Sequence, residues 1–425
     1  MRSVPAVLLL LASAPALAWE WRGEAGVEGR YFSEGPGAPD YWHNGSAFVR
    51  GEVLHEWNDR RDLFTFVPFA RIDENDSQRS HADIRELIWL HVADGWESRV
   101  GIGKVFWGVT EGRHLVDIIN QTDAVEQPDG EDKLGQPMIN VSTVRDWGTL
   151  DLYVLPGFRE RTFAGPDGRP GLPVPVDTDE ARYASGAEEN RMDAAIRWQQ
   201  MFGSLQLALS HFSGNGREPL LIPNVADAFA AGWLGPNNPP NPLPPGFKPR
   251  LDPFYPVIEQ SGLEAQYLLG GWLFKLEAIA RSGNRFERRM HAADAGFEYT
   301  QVGLFGSDMD LGWIVEYLWE DRADNFVSPF ASDWLLGNRL TFNDIAGTEL
   351  LWGLIWDPQT EERVYSLESS RRFGDRWRAT LEASIYSRAG DPPTADEIFN
   401  GIAPDKPLAV FSREDMIQLE LIYFF

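Results

Sequence analysis

Arg413-Glu-Asp-Met-Ile-Gln-Leu-Glu-Leu-Ile-Tyr-Phe-Phe425 is the stretch whose reading decides the fold. Every second residue gives Asp415, Ile417, Leu419, Leu421, Tyr423 and Phe425. Between them stand Met416, Gln418, Glu420, Ile422 and Phe424. A period of two is the mark of a strand, and here one face is apolar and ends in aromatics. An apolar strand with no partner on one side invites aggregation in water. In a membrane, a closed barrel removes that edge by pairing the last strand with the first, and lipid covers the apolar face.

The other end of the chain supplies a matching strand. Trp19, Trp21, Gly23, Ala25, Val27, Gly29 and Tyr31 alternate with Glu20, Arg22, Glu24, Gly26, Glu28 and Arg30. A membrane strand needs about 9–11 residues at a tilt, and this segment exceeds that. Upstream, Arg2, the apolar run around Val7–Leu11 and Ala16-Leu17-Ala18 read as a signal peptide over 1–18. The mature chain is expected to start at Trp19 and to form one barrel domain over 19–425.

Composition narrows the function. The net charge is −26, which argues against nucleic acid, whose binders carry a basic footprint. Cysteine is absent, so thiol chemistry and cysteine metal sites are excluded. Trp 17, Phe 25 and Tyr 11 accompany a mean hydropathy of only −0.32. A barrel with a polar lumen and aromatic girdles has this composition.

Alternating segments recur along the whole chain. Met192, Ala194, Ile196 and Trp198 form one apolar face; Trp272, Phe274, Leu276 and Ala278 form another; Leu350, Trp352, Leu354 and Trp356 a third. The expected fold is all-β: a transmembrane antiparallel up-and-down β-barrel of about 18 strands, with about 16 the nearest other even count. Connections alternate short and long. Asn58–Arg60, Ala93–Gly95, Asp146–Gly148 and Gly374–Asp375 are short, whereas 108–136, 159–188, 214–255 and 388–412 are long. Short periplasmic turns opposite long extracellular loops are the barrel arrangement. The Pro-rich 214–255 reads as an irregular loop with one helical turn near Val225–Leu234.

A barrel of this width leaves an aqueous channel unless something fills it. The loop over 108–136 is the candidate. It carries Val109, Leu115, Val116, Ile118 and Ile119, which a solvated loop does not need. Folded inward, it would present Glu111, Arg113, His114, Asp117 and Asp123 at a constriction, with Arg113 and Asp117 setting a transverse field. Glu111, His114 and Asp117 have the spacing of metal ligands on one helical face, but no third firm ligand set accompanies them, and no metal or cofactor is expected. Arg99, Arg145, Arg197, Arg339 and Arg378, with Glu298, Glu316 and Glu349, are assigned to the lumen wall. For any single one of them, an ion pair between neighbouring strands that solvates and stiffens the wall is a better account than a solute track. No nucleophile motif stands out. An enzyme would need a cluster built on His43, His81 or His114.

The strand Arg99-Val-Gly-Ile-Gly-Lys-Val-Phe-Trp-Gly108, followed by that loop, resembles porin-like outer-membrane proteins of proteobacteria. Tyr255-Pro-Val-Ile-Glu-Gln-Ser-Gly262 and Lys275-Leu-Glu-Ala278 add to the likeness, as does the terminal Phe. The resemblance implies a barrel in the bacterial outer membrane and passive transport, and brings no solute or site residues. Porin barrels are often trimers, so a homotrimer is the assembly it suggests. The expected function is a diffusion channel for small hydrophilic solutes or ions, contacting outer-membrane lipid. The alternatives are an enzyme with a site at the extracellular rim and a plugged receptor or structural barrel.

Overall fold

The computed structural model describes residues 19–33, 41–127, 129–283, 289–322 and 330–425. The segment over 1–18, expected to be a signal peptide, lies outside the described residues. Eighteen strands form one barrel. In chain order they are β1 (Trp19–Phe32), β2 (His43–Trp57), β3 (Asp62–Asp73), β4 (His81–Ala93), β5 (Trp96–Gly103), β6 (Gln136–Arg145), β7 (Gly148–Pro156), β9 (Met192–Phe202), β10 (Leu205–Asn215), β13 (Val257–Leu269), β14 (Trp272–Gly283), β15 (Met290–Gln301), β16 (Asp310–Glu320), β17 (Ser332–Thr341), β18 (Glu349–Trp356), β19 (Arg363–Phe373), β20 (Trp377–Ser387) and β21 (Met416–Phe424). The three remaining strands are β8 (Arg182–Tyr183), β11 (Leu220–Pro223) and β12 (Leu251–Tyr255), which pair with one another in the long loops. The stretch expected to be irregular over 214–255 therefore begins and ends in sheet, because Leu220–Pro223 and Leu251–Tyr255 are short apolar runs that find each other across the loop.

Each barrel strand pairs antiparallel with its neighbours in the barrel, and β1 pairs with β21 from Glu24↔Phe424 to Phe32↔Met416. The Gly23 N–H donates to the Phe425 carbonyl at 3.0 Å, and the Phe425 N–H to the Gly23 carbonyl at 2.9 Å. No edge remains. The Phe425 ring lies over Gly23, where a Cβ would stand 2.3 Å from the ring, so only glycine fits.

The alternation sorts the side chains as the sequence implies. Trp21, Val27, Leu209, Trp313 and Leu419 point outward and are exposed. Exposed aromatics gather towards both ends of the wall, with Trp19, Trp96, Trp147 and Trp377 at the short-turn end and Trp42, Trp319 and Trp334 at the long-loop end. The ladder has one irregularity. Val67 pairs with Glu86 and Pro68 with Ile84, so Arg85 has no ladder partner. Pro68 donates no N–H and sits at this bulge. An extra residue re-aims its side chain, and Arg85 points into the barrel.

The β10–β13 loop and the β20–β21 loop meet. Helix α1 (Val225–Ala230) and Trp233 pack on Phe399 of helix α2 (Ala395–Phe399). Asn400 Oδ1 accepts from the Asn237 and Asn241 backbones at 2.7 and 3.0 Å. These loops spring from strands seven or eight places apart around the barrel, so their union straps the long-loop mouth.

Candidate functional site: the loop that crosses the lumen

The connection over 104–135 runs inside the barrel. Its stems are joined by Asn120, whose Nδ2 donates to the Gly103 and Leu134 carbonyls at 2.8 Å each, while its Oδ1 accepts from the Val105 N–H. From there it reaches both sides of the wall.

On one side it hangs from acidic residues of β14 and β16. Glu277 accepts from the Val109 N–H (2.6 Å), the Thr110 N–H (3.0 Å), the Thr110 hydroxyl (2.8 Å) and the Val116 N–H (3.2 Å). Glu316 accepts from the Glu111 and Gly112 N–H groups at 2.9 and 2.7 Å. Arg113 donates to Glu320 at 2.6 Å. Glu111 meets Lys275 at 3.0 Å and Arg339 at 2.9 Å. Burial would raise the Glu111 carboxyl, but Lys275 and then Arg339 outweigh it and hold the group below its usual range.

On the other side it rests on β1, β3, β4 and β20. Arg85, aimed inward by the bulge, pairs with Asp123. Arg71 meets Glu126 at 2.8 Å, and Arg30 donates to the Glu126 carbonyl at 2.7 Å. Gln127 donates to Glu382 at 2.6 Å. Glu28 ties Arg30, Arg71 and Arg79 together at about 3.0 Å each, fully enclosed. The mutual pairing offsets a burial cost that each member alone would carry.

Between the two anchors the loop is apolar. Leu115, Val116, Ile118 and Ile119 are buried with Trp107 against Ile88, Met138, Tyr153, Leu155, Phe212, Ile258 and Ile279 of the wall. The hydrophobic effect works inside a polar lumen here because loop and wall remove each other's apolar surface from water. Burying four such aliphatic side chains contributes about 1.5–3 kcal/mol each.

The expected site residues divide accordingly. Arg113 and Asp117 do not face one another across an opening. Arg113 is taken up by Glu320, and Asp117 is fully buried with Lys133 at 3.1 Å and the Trp107 N–H at 3.3 Å. The expected transverse pair is therefore overturned: each charge is neutralised inside the protein. Asp123 is buried with Arg85 and the Thr162 hydroxyl, an anchor and not a lining group. His114 meets Glu131 at 3.1 Å. Burial alone would lower the His114 pKa, but the Glu131 hydrogen bond and charge raise it above its usual value. The helical metal spacing dissolves, since 111–117 is not helical and its three residues go to separate partners. The three histidines considered for an enzyme have separate surroundings: His43 shares the outward face of β2, His81 meets the Arg79 carbonyl and lies 3.5 Å from Glu126 with Asp123 beside it, and His114 lies on the loop.

Of the expected wall residues, Arg99, Arg197, Arg339, Arg378, Glu298, Glu316 and Glu349 share the inward face. Arg145 does not. It shares the face of Val141 and Ile139, both exposed, and donates to the Gly95 and Val144 carbonyls of the turns. A cation at a strand end reaches the polar interface even from the outer face, which is why its position in the alternation was misjudged.

What remains open is a crescent. Inward residues on β6 to β16 are buried beneath the loop: Asn140, Asp193, Glu277, Asp294 and Glu316 are at most 1% exposed. Inward residues on β18 and β19 are not: Glu349, Ser366 and Glu368 are exposed. Facing them, the loop presents Asp129, Glu131 and Asp132, all exposed. Burial inside the barrel, then Glu131 and Glu368, raise the Asp129 carboxyl. Burial, then Glu126 and Asp129, push Asp132 up to about 6. Nothing in the sequence separates these three loop acids, or Glu368, from solvated surface charge.

No family model and no curated protein sequence matches this chain. Solved structures do. A BenF-like porin from Pseudomonas fluorescens Pf-5 is 10% identical with a TM-score of 0.48, covering 96% of this chain and 98% of that one. Pseudomonas aeruginosa OpdO is 9% identical with a TM-score of 0.48, covering 96% of each chain. A mutant of the Rh. blastica porin is 12% identical with a TM-score of 0.42, covering 96% of this chain and all of that one.

Proposed function

We propose that this protein is an outer-membrane channel that passes small hydrophilic solutes and ions by diffusion through the crescent between the inward loop and β17–β20. One observation carries the reading: Asn140, Asp193, Glu277, Asp294 and Glu316 are buried on the inward face of β6–β16, whereas Glu349 of β18 and Ser366 and Glu368 of β19 are exposed. The outward apolar face and its aromatic ends support a place in lipid, with the short turns in the periplasm and the strap outside. Selectivity then belongs to the crescent. Asp129, Glu131, Asp132, Glu349, Glu368 and Glu382 outnumber Arg339, Arg372 and Arg378 along it. Acidic rings of this kind favour cations. The sign agrees with the whole-chain charge of −26, although loops and lumen need not agree.

The test uses the absence of native cysteine. Ser366→Cys in planar bilayers should lose conductance on addition of a cationic thiol reagent. Asn140→Cys, beneath the loop, should keep it. Reversal potentials in a potassium chloride gradient should have the sign of cation preference. A barrel that conducts nothing, or conducts but is blocked equally at both cysteines, would overturn the reading.

A further inference from the structure

One charged cluster at the long-loop rim is not used by the crescent. Glu218 follows β10. Arg281 of β14 reaches it at 3.1 Å, Arg322 beyond β16 at 3.0 Å, and Arg113 of the inward loop at 3.7 Å. Arg161, from the β7–β9 loop, is close enough to act on the same carboxylate. Four guanidinium groups from four elements therefore surround the Glu218 carboxylate, and two of them, Arg113 and Arg322, are also held by the buried Glu320 at 2.6 Å each. They hold the Glu218 carboxyl well below its usual range even though burial opposes this.

Two features separate this cluster from a purely structural tie. The first is access. Glu28, with its three arginines, has a side chain 3% exposed, whereas the Glu218 side chain is 38% exposed. Its arginines are covered: Arg113 is 17%, Arg281 7% and Arg322 13% exposed. The carboxylate is thus the part of the cluster that water reaches. The second is Arg161. Its side chain donates only to neutral groups, Gln121 Oε1 at 3.4 Å and the Thr122 hydroxyl at 3.3 Å. It has no ion pair among the described residues, and burial lowers its pKa. A guanidinium in this position is short of an anion. Its planar fork suits a carboxylate or a phosphate.

We infer that this cluster is a binding station for a small solute bearing a carboxylate or phosphate group, and that Glu218 is its built-in occupant. An arriving oxyanion shares or replaces the place of the Glu218 carboxylate and completes the shell of Arg161. Arg113 links the station to the inward loop, so an occupant sits at the long-loop end of the passage. The inference rests on the channel reading for its purpose but not for its test.

The test is titration calorimetry on the folded barrel in non-ionic detergent, with succinate and with inorganic phosphate as separate probes. It reads binding whether or not the barrel conducts, so its failure is distinct from failure of the channel. A tethered carboxylate competes at an effective concentration in the millimolar range, so Glu218→Gln should tighten binding about tenfold. Arg161→Gln breaks no ion pair, should leave the folded band on unheated gels unchanged, and should weaken binding about tenfold, the loss of one charge-assisted hydrogen bond. The double variant should return towards the parent. Tightening for succinate alone assigns a carboxylate station, and for phosphate alone a phosphate station. If Glu218→Gln does not fold, Arg161→Gln decides alone. Unchanged affinity in either folded variant, for both probes, overturns the inference.

Discussion

Replacing Glu277 by leucine should detach the tip of the inward loop while leaving the barrel closed. Glu277 is fully buried and accepts four hydrogen bonds from the loop, at 2.6, 3.0, 2.8 and 3.2 Å. Leucine keeps the volume and removes every acceptor. Each orphaned buried donor costs about 1–3 kcal/mol. The Thr110 hydroxyl can turn to the Arg113 carbonyl at 2.9 Å, so three backbone donors are orphaned; at the low end they cost ~3 kcal/mol, roughly 150-fold in the docking equilibrium of this tip. The loop as a whole should stay, because Leu115, Val116, Ile118 and Ile119 remain against the wall and Asp123 remains with Arg85. The change is therefore local. Hydrogen exchange followed by mass spectrometry should show amides of 109–116 exchanging faster by about two orders of magnitude, which is what that equilibrium shift allows. Single-channel records should gain open-state noise. Glu277→Gln retains one carbonyl acceptor and should fall between. Unchanged exchange over 109–116 in Glu277→Leu would show that apolar burial alone holds the tip, and would refute the assignment of Glu277 as its latch.

Two further outcomes follow from the geometry. Asp132 has its carboxyl pushed up to about 6, so cation preference in a salt gradient should fall as pH drops from 8 to 5, with Asp132→Asn flattening the dependence. The sign for stability is opposite: a raised folded pKa favours docking of this segment at low pH, a contribution that is lost as pH rises through about 6. At the seam, Gly23→Val would place its Cβ 2.3 Å from the Phe425 ring. Overpacking of this sort costs about 1–3 kcal/mol, and the yield of heat-modifiable folded barrel should drop, with Phe425→Ala restoring it.

The fold was open to reading from alternation alone because the lipid face tolerates no polar run. Trp313, Val315, Tyr317 and Trp319 declare the outer face of β16 whatever lies inside. Strand number and the sorting of short turns from long loops followed from the same regularity. The site was harder to read for a physical reason. A charge on the inward loop looks alike in sequence whether it meets water or a partner distant in the chain. Arg113 finds Glu320 and Asp123 finds Arg85 only because the loop crosses the barrel, and nothing local to 108–136 marks those partners. Conversely, Asp129, Glu131 and Asp132 are exposed just as a solvated loop would be. What distinguishes them is the wall opposite.

The inner face does carry a trace of where the loop lies. A water-filled lumen calls for polar side chains at every inward position. Yet Ile88, Met138, Leu155, Phe212, Ile258 and Ile279 occupy inward positions and are buried. In lipid-facing terms these residues break the alternation, and taken singly each passes for noise. They fall on β4, β6, β7, β10, β13 and β14, the arc that the loop covers. Across β19 and β20 the inward positions 366, 368, 370, 372, 378, 380, 382 and 384 are Ser, Glu, Ser, Arg, Arg, Thr, Glu and Ser, and the apolar Val364 and aromatic Tyr386 come only at the long-loop end. The arc with inward apolar residues is the one that must be covered, and the arc without them is the one that can stay wet. The same contrast flags a second patch. Ile314, Leu318, Leu335, Leu351 and Ile355 pack together on the inward face of β16–β18 with Phe330. That patch borders the crescent next to Glu349, which is exposed. One flank of the crescent is therefore apolar and the other acidic.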